Sequence, residues 1–120
     1  MLYKYKNDYE KITMGGLLSF IPDLKEFSRL KAEIKWYSDD DDRCLFLWKN
    51  DTGDFVGVIG VEATENVLMI RHIAVTPAER NEGVSFEMLS DLAILYPKIK
   101  MMGSIETAGL IAKWEQRNGK

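Results

Sequence analysis

The residues Arg80-Asn81-Glu82-Gly83-Val84-Ser85 stand where an apolar segment, Ile70 to Val75, passes through Thr76-Pro77 and opens a helix. The chemistry that suits such a junction is the holding of an anion. The first turn of a helix leaves backbone N–H groups without intrahelical acceptors, and the aligned peptide dipoles add positive potential there. Gly83 lets a ligand approach the backbone without a side chain in the way, and Arg80 can add a cationic donor. An ordinary strand-to-helix turn, with glycine for close packing, reads the same from these residues alone.

Other residue types narrow the chemistry. His72 is the only histidine; its titration range suits proton transfer, and a hydrogen-bonded core imidazole is the alternative. Cys44 is the only cysteine, which excludes an internal disulfide, and its neighbours Leu45, Phe46 and Leu47 mark it as packing. One imidazole and one thiol cannot complete a zinc shell, so no metal is expected. The run Asp39-Asp40-Asp41-Asp42 lacks the spaced oxygen ligands of a calcium loop and reads as a solvated connector.

The elements that must position these residues follow from periodicity. Leu2 to Lys6 is expected as a short strand, and Asn7 or Asp8 can cap a helix carrying Ile12, Met14, Leu17, Leu18 and Ile21, weakened by Gly15-Gly16 and ended by Pro22. Asp23 with Glu26 opens a second helix whose Phe27, Leu30, Ile34 and Tyr37 recur at steps of three or four. Arg43–Lys49, Phe55–Glu62 and Val67–Val75 form an antiparallel meander. Val84–Tyr96 is a third helix, stopped by Pro97. Lys98–Gly103 is a buried strand, and Ile105–Arg117 a final helix with Leu110, Ile111 and Trp114 on its apolar side.

A chain of 120 residues, 46% of them hydrophobic, fits a single domain over residues 1–120. The formal net charge of −3 argues against nucleic acid, which calls for a concentrated basic face. No apolar run reaches membrane-spanning length, and the N-terminus alternates Tyr and Lys where a signal peptide needs an apolar segment. A soluble cytoplasmic protein is expected.

The spacing Arg-x-x-Gly-x-small after a strand ending in Val-x-Pro resembles the acyl-CoA loop of the GNAT N-acetyltransferase superfamily. The resemblance extends through Met14-Gly15-Gly16-Leu17-Leu18-Ser19-Phe20, Leu45-Phe46-Leu47-Trp48-Lys49, Val56-Gly57-Val58-Ile59-Gly60-Val61-Glu62 and Ile70-Arg71-His72-Ile73. It is most similar to the small RibT-type proteins associated with riboflavin biosynthesis. The resemblance implies an α+β fold, the GNAT acyl-CoA N-acyltransferase fold. Its mixed central sheet is flanked by helices in the order β-α-α-β-β-β-α-β-α, here without the C-terminal strand pair.

In that fold two central parallel strands splay apart, and the cleft between them takes the pantetheine arm. The resemblance therefore implies acetyl-CoA as cosubstrate and an amine as acceptor. Ile73, Ala74 and Val75 would meet the pantetheine, Arg80, Asn81, Glu82, Gly83, Val84 and Ser85 the diphosphate, and Thr107 would donate one hydrogen bond. Glu62, at a strand end beside that cleft, is a candidate base acting through a water, with a solvated carboxylate as the alternative; His72 is the second candidate. Trp114 falls where many relatives carry a Tyr acid, and an indole N–H does not ionise at neutral pH. Glu82 sets negative charge beside the anion site. A CoA-binding regulatory or partner-binding module without turnover is the alternative function. The missing strand pair leaves a sheet edge that a second subunit can cover, so a homodimer is expected.

Overall fold

The computed structural model describes residues 1–13, 21, 26–79 and 83–117. Strands β1 (Leu2–Lys4), β2 (Arg43–Lys49), β3 (Phe55–Ala63), β4 (Val67–Val75) and β5 (Lys100–Gly103) form one sheet in sequence order. The pairs from β1 to β4 are antiparallel and the β4–β5 pair is parallel. Around it lie α1 (Glu10–Ile12), α2 (Phe27–Ser38), α3 (Val84–Leu95) and α4 (Ala108–Arg117). The expected order of elements is the observed one.

The strands are apolar on both sides because both faces of the sheet are covered. Leu45, Leu47 and Val58 pack with Leu30, Ile34 and Tyr37 of α2. Phe46, Trp48, Ile59, Val61, Leu68 and Ile70 pack on the opposite side with Val84, Met88, Leu89 and Leu92 of α3 and Ile111 and Trp114 of α4. Cys44 packs against this second cluster, in keeping with its sequence context. Trp114 donates its indole N–H to Ser90 Oγ at 3.0 Å, which ties α4 to α3.

Two irregularities shape the site. The β3–β4 register passes from Gly60–His72 to Val61–Ile70, so Arg71 is an extra residue in β4. The β4–β5 pairing ends at Ile70–Gly103. A bulge bends its strand and increases its twist. Here it coincides with the point where the two parallel strands part.

The fork is pinned from α4's side. Thr107, 3% exposed, donates its hydroxyl to Ile70 O at 2.8 Å and accepts the Ser104 N–H at 2.9 Å. Gly103 is required by space: a Cβ there would lie 2.5 Å from Ala108 N and 2.6 Å from its Cα.

Several expected boundaries move. The final helix begins at Ala108, because Thr107 and Ala108 both return their N–H groups to Ser104 O and make 104–107 a turn. β5 begins at Lys100, after a turn closed by Ile99 N–H to Tyr96 O. β1 ends at Lys4, although Tyr5 N–H still reaches Leu45 O. The first helix is seen as a 3-10 turn, Asn7–Tyr9, followed by α1; Met14, Leu17, Leu18 and the Gly15-Gly16 pair lie outside the described residues, as does Asp23. β5, which the resemblance sets beside β4 as one of the two central strands that splay apart, is an edge strand of the sheet.

Candidate active site

The cleft opened by the fork has a volume of about 1010 Å³. One wall is β4 from Arg71 to Val75, another is Ser104 to Thr107 with Leu110, and α2 contributes Ala32, Glu33 and Trp36. Beyond Ile70 no strand lies beside β4 on the β5 side among the described residues. An extended amide chain can pair there as a strand would.

At the end of that strip α3 begins. Gly83 is its N-cap, with φ +80°, a conformation in which glycine carries little strain and other residues carry much more. Nothing lies within 4 Å of the place a Cβ would take. The first intrahelical bond runs from Glu87 N–H to Gly83 O at 3.1 Å, and no side chain caps the helix among the described residues. The first-turn amides are therefore available to an anion.

The expected cofactor residues divide three ways. Ile73, Ala74, Val75, Ser85 and Thr107 line the cleft. Gly83 and Val84 open onto a neighbouring depression of about 950 Å³ that Arg117 also lines. Arg80, Asn81 and Glu82 lie outside the described residues. Thr107 lines the cleft and donates its hydroxyl to Ile70 O, which shapes the cleft by holding the fork.

The two candidate bases have different surroundings. Glu62 does not line the cleft. Its carboxylate stands 3.5 Å from Arg71 Nη1 and 3.9 Å from Arg43 Nε, and both guanidinium groups lie over the Trp36 ring, at 5.1 and 4.2 Å from its centroid. His72 does line the cleft. Its Nδ1 is 2.6 Å from the Tyr37 hydroxyl, and its Nε2 is 3.9 Å from Glu33 Oε2.

Tyr37, Glu33 and Trp36 were not singled out by the sequence as site residues. Glu33 and Tyr37 are one helical turn apart and so share a face of α2. That much was legible, but the periodicity marked Tyr37 as core, and nothing in the spacing paired it with an imidazole 35 residues away. Burial raises the Tyr37 pKa above its ordinary value, and the Glu33 and Glu62 charges add to the rise against the opposing Arg71. Glu106, on the opposite wall, has a lowered pKa, chiefly because its own backbone N–H and the Ser104 hydroxyl stabilise the carboxylate, with His72 and Arg71 adding to this.

A strip of unzipped strand along one cleft, with the uncapped start of α3 between that cleft and the neighbouring depression, fits a long ligand with amides and a diphosphate. The sequence profile of the Acetyltransferase (GNAT) family matches residues 9–103. The chain belongs to the GNAT acetyltransferase family. A relative from Bacillus methanolicus, described as an uncharacterized N-acetyltransferase in the lysA 3′ region, is 40% identical over 120 residues, spanning 99% of this chain and 98% of its own.

Solved GNAT structures share the fold. One is AAC(6')-Iy in complex with the bisubstrate analog CoA-S-monomethyl-acetylneamine: TM-score 0.74, 15% identity, covering 99% of this chain and 88% of that one. Another is the aminoglycoside 6'-N-acetyltransferase AAC(6')-Ih from Acinetobacter baumannii: TM-score 0.71, 14% identity, covering 100% of this chain and 89% of that one. Among the described residues no group of three or more His, Cys, Asp or Glu side chains is placed to hold a metal ion, and no helix is long and apolar enough to cross a membrane.

Proposed function

We propose that the protein is an acetyl-CoA-dependent N-acetyltransferase that moves an acetyl group directly to an amine of a small molecule or peptide. The observation that carries this reading is the parting of β4 from β5 at Ile70 and Gly103, which leaves a strip of strand leading to the uncapped start of α3. Bound acetyl-CoA supplies a thioester. The backbone of Ile73, Ala74 and Val75 lines its pantetheine arm, and the amides of Gly83, Val84 and Ser85 receive the diphosphate, with Arg80, Asn81 and Glu82 completing the loop.

The reacting end then lies near His72, where the strands part. Held in line there, thioester and amine need no covalent enzyme intermediate. Cys44, the one thiol, is in β2 and does not line the cleft. His72 is in position to act on the reacting atoms, and Glu62 supports the site by holding Arg71 in the cleft wall.

Calorimetry with acetyl-CoA, followed by thiol release with a panel of polyamines, aminoglycosides, amino acids and peptide N-termini, tests the reading. Binding together with release for at least one amine is the expected result. No binding removes the proposal; binding without release leaves a CoA-binding regulatory or partner-binding module. Amine-bearing pyrimidines belong in the panel, because the RibT-type resemblance implies a link to riboflavin biosynthesis. A cytoplasmic location and a homodimer belong to the same reading. The dimer is motivated by the β5 edge, where Met102 is exposed. A strictly monomeric mass by light scattering would remove it.

A further inference from the structure

Tyr37 sends its hydroxyl across the sheet to the imidazole on β4, and the sequence makes room for it. A Cβ at Gly60 would collide with the Tyr37 hydroxyl, so the path of that side chain depends on glycine. Tyr37 is 4% exposed, and among the described residues the hydrogen-bond partner of its hydroxyl is His72 Nδ1.

A buried hydroxyl that cannot donate pays for its lost hydration with nothing in return. Burial and the nearby carboxylates also oppose loss of its proton. The hydrogen therefore stays on oxygen and points to Nδ1, which must offer its lone pair. In a neutral imidazole the ring proton then sits on Nε2. An imidazole in that state is a hydrogen-bond donor through Nε2 and has no lone pair left for an amine.

Glu33 is placed differently. Its carboxylate faces Nε2 across 3.9 Å, too far for a direct hydrogen bond, and both residues line the cleft. Among the described residues, His72 is the only charged or chargeable partner within ion-pair distance of Glu33. Glu62, by contrast, has two guanidinium groups around it.

We propose that Tyr37 positions His72 as its Nε2–H tautomer, a donor into the cleft, and that Glu33 takes the proton from the acceptor ammonium. The proposal rests on the transferase reading above. One ammonium proton passes to the Glu33 carboxylate, and the freed nitrogen lone pair forms the C–N bond to the thioester carbonyl carbon. The C–S bond breaks with its electron pair on sulfur. The second nitrogen proton leaves with the sulfur, giving amide and thiol, and Glu33 returns its proton to solvent. The Nε2–H faces the carbonyl oxygen as negative charge grows there.

Because His72 is the only histidine, nitrogen-15 NMR of the untagged chain reports its tautomer without any substrate. At a pH of about 8.5, above the ordinary histidine range, the wild type is expected to show Nε2 protonated and Nδ1 bare. Tyr37→Phe and Gly60→Ala, each checked for folding by circular dichroism, are expected to give a mixture. A wild type protonated at Nδ1, or a tautomer ratio unchanged in both folded variants, overturns the tautomer assignment.

Kinetics tests the second half. Glu33→Gln is expected to lower kcat roughly a hundredfold or more while calorimetric acetyl-CoA affinity stays the same. His72→Gln, which keeps a donor, is expected to retain more activity than His72→Ala. A wild-type kcat in Glu33→Gln, or equal losses in the two His72 variants, overturns the division of roles. If the wild type binds acetyl-CoA but turns over no amine, the transferase reading fails and takes the Glu33 assignment with it, while the spectrum still decides the tautomer.

Discussion

The two halves of β4 have opposite fates. From Leu68 to Ile70 the strand is paired on both sides, and Leu68 and Ile70 are 0% exposed. From Arg71 to Val75 it keeps only β3 as a partner strand, its side chains are exposed or half-buried, and it walls the cleft. One strand supplies core in its first half and site in its second. The sheet makes the site by stopping: a bulge at Arg71 and the end of β5 at Gly103 leave the second half of β4 with no strand on its β5 side among the described residues.

The sharpest way to break this comparison lies at the far end of the open half. Gly83→Glu places a carboxylate against the proposed diphosphate and a side chain on a backbone with φ +80°. Acetyl-CoA affinity by calorimetry is expected to fall roughly a hundredfold or more, equivalent to about 2.7 kcal/mol, while strain lowers stability by about 1–2 kcal/mol. Unchanged affinity would reject the anion site. At the near end, Gly103→Ala drives a Cβ into the backbone of Ala108. A loss of ~1–3 kcal/mol in urea unfolding is expected from such overpacking, and an unchanged midpoint would mean the fork is looser than its contacts.

The paired half was legible in the sequence and the open half only in outline. Hydrophobic runs at 43–49, 55–62 and 67–75 specify the meander by their shortness and the turn residues between them, since strands buried on both faces show continuous apolar runs with no alternation. The Gly83 turn marked the start of α3, and the structure adds that its positive φ favours glycine there. What periodicity does not encode is where pairing stops. The bulge leaves one β4 residue, Arg71, unpaired opposite the step from Gly60 to Val61, a register event set by tertiary contacts. The same limit hid Glu33 and Tyr37, whose contacts with His72 arise only once α2 lies across Gly60 and His72. It also left Glu62 as the candidate base, because its place at the end of β3 does not show that two arginines surround its carboxylate.

Thr107→Val tests the boundary between the halves with a change of nearly constant size. It removes the donor to Ile70 O and the acceptor for Ser104 N–H. A loss of ~1–2 kcal/mol in urea unfolding is expected, with acetyl-CoA affinity changing less than in Gly83→Glu because the hydroxyl serves the fork. A stability unchanged from wild type would show that the Ser104 N–H to Ile70 O bond holds the fork alone.

Glu62→Gln gives the smallest expected effect and separates three accounts of one carboxylate. It loosens Arg71, which lines the cleft but is itself partly exposed, so the ion pair is worth at most about 1 kcal/mol. If Glu62 acts through Arg71, kcat should drop by no more than roughly sixfold, with calorimetric acetyl-CoA affinity unchanged. Were it the base working through a water, the loss would be roughly a hundredfold or more, and the open half of β4 would have to extend its chemistry to the end of β3. Full activity would leave Glu62 as a tether for two arginines over Trp36 and place the whole reaction on the His72 side of the bulge.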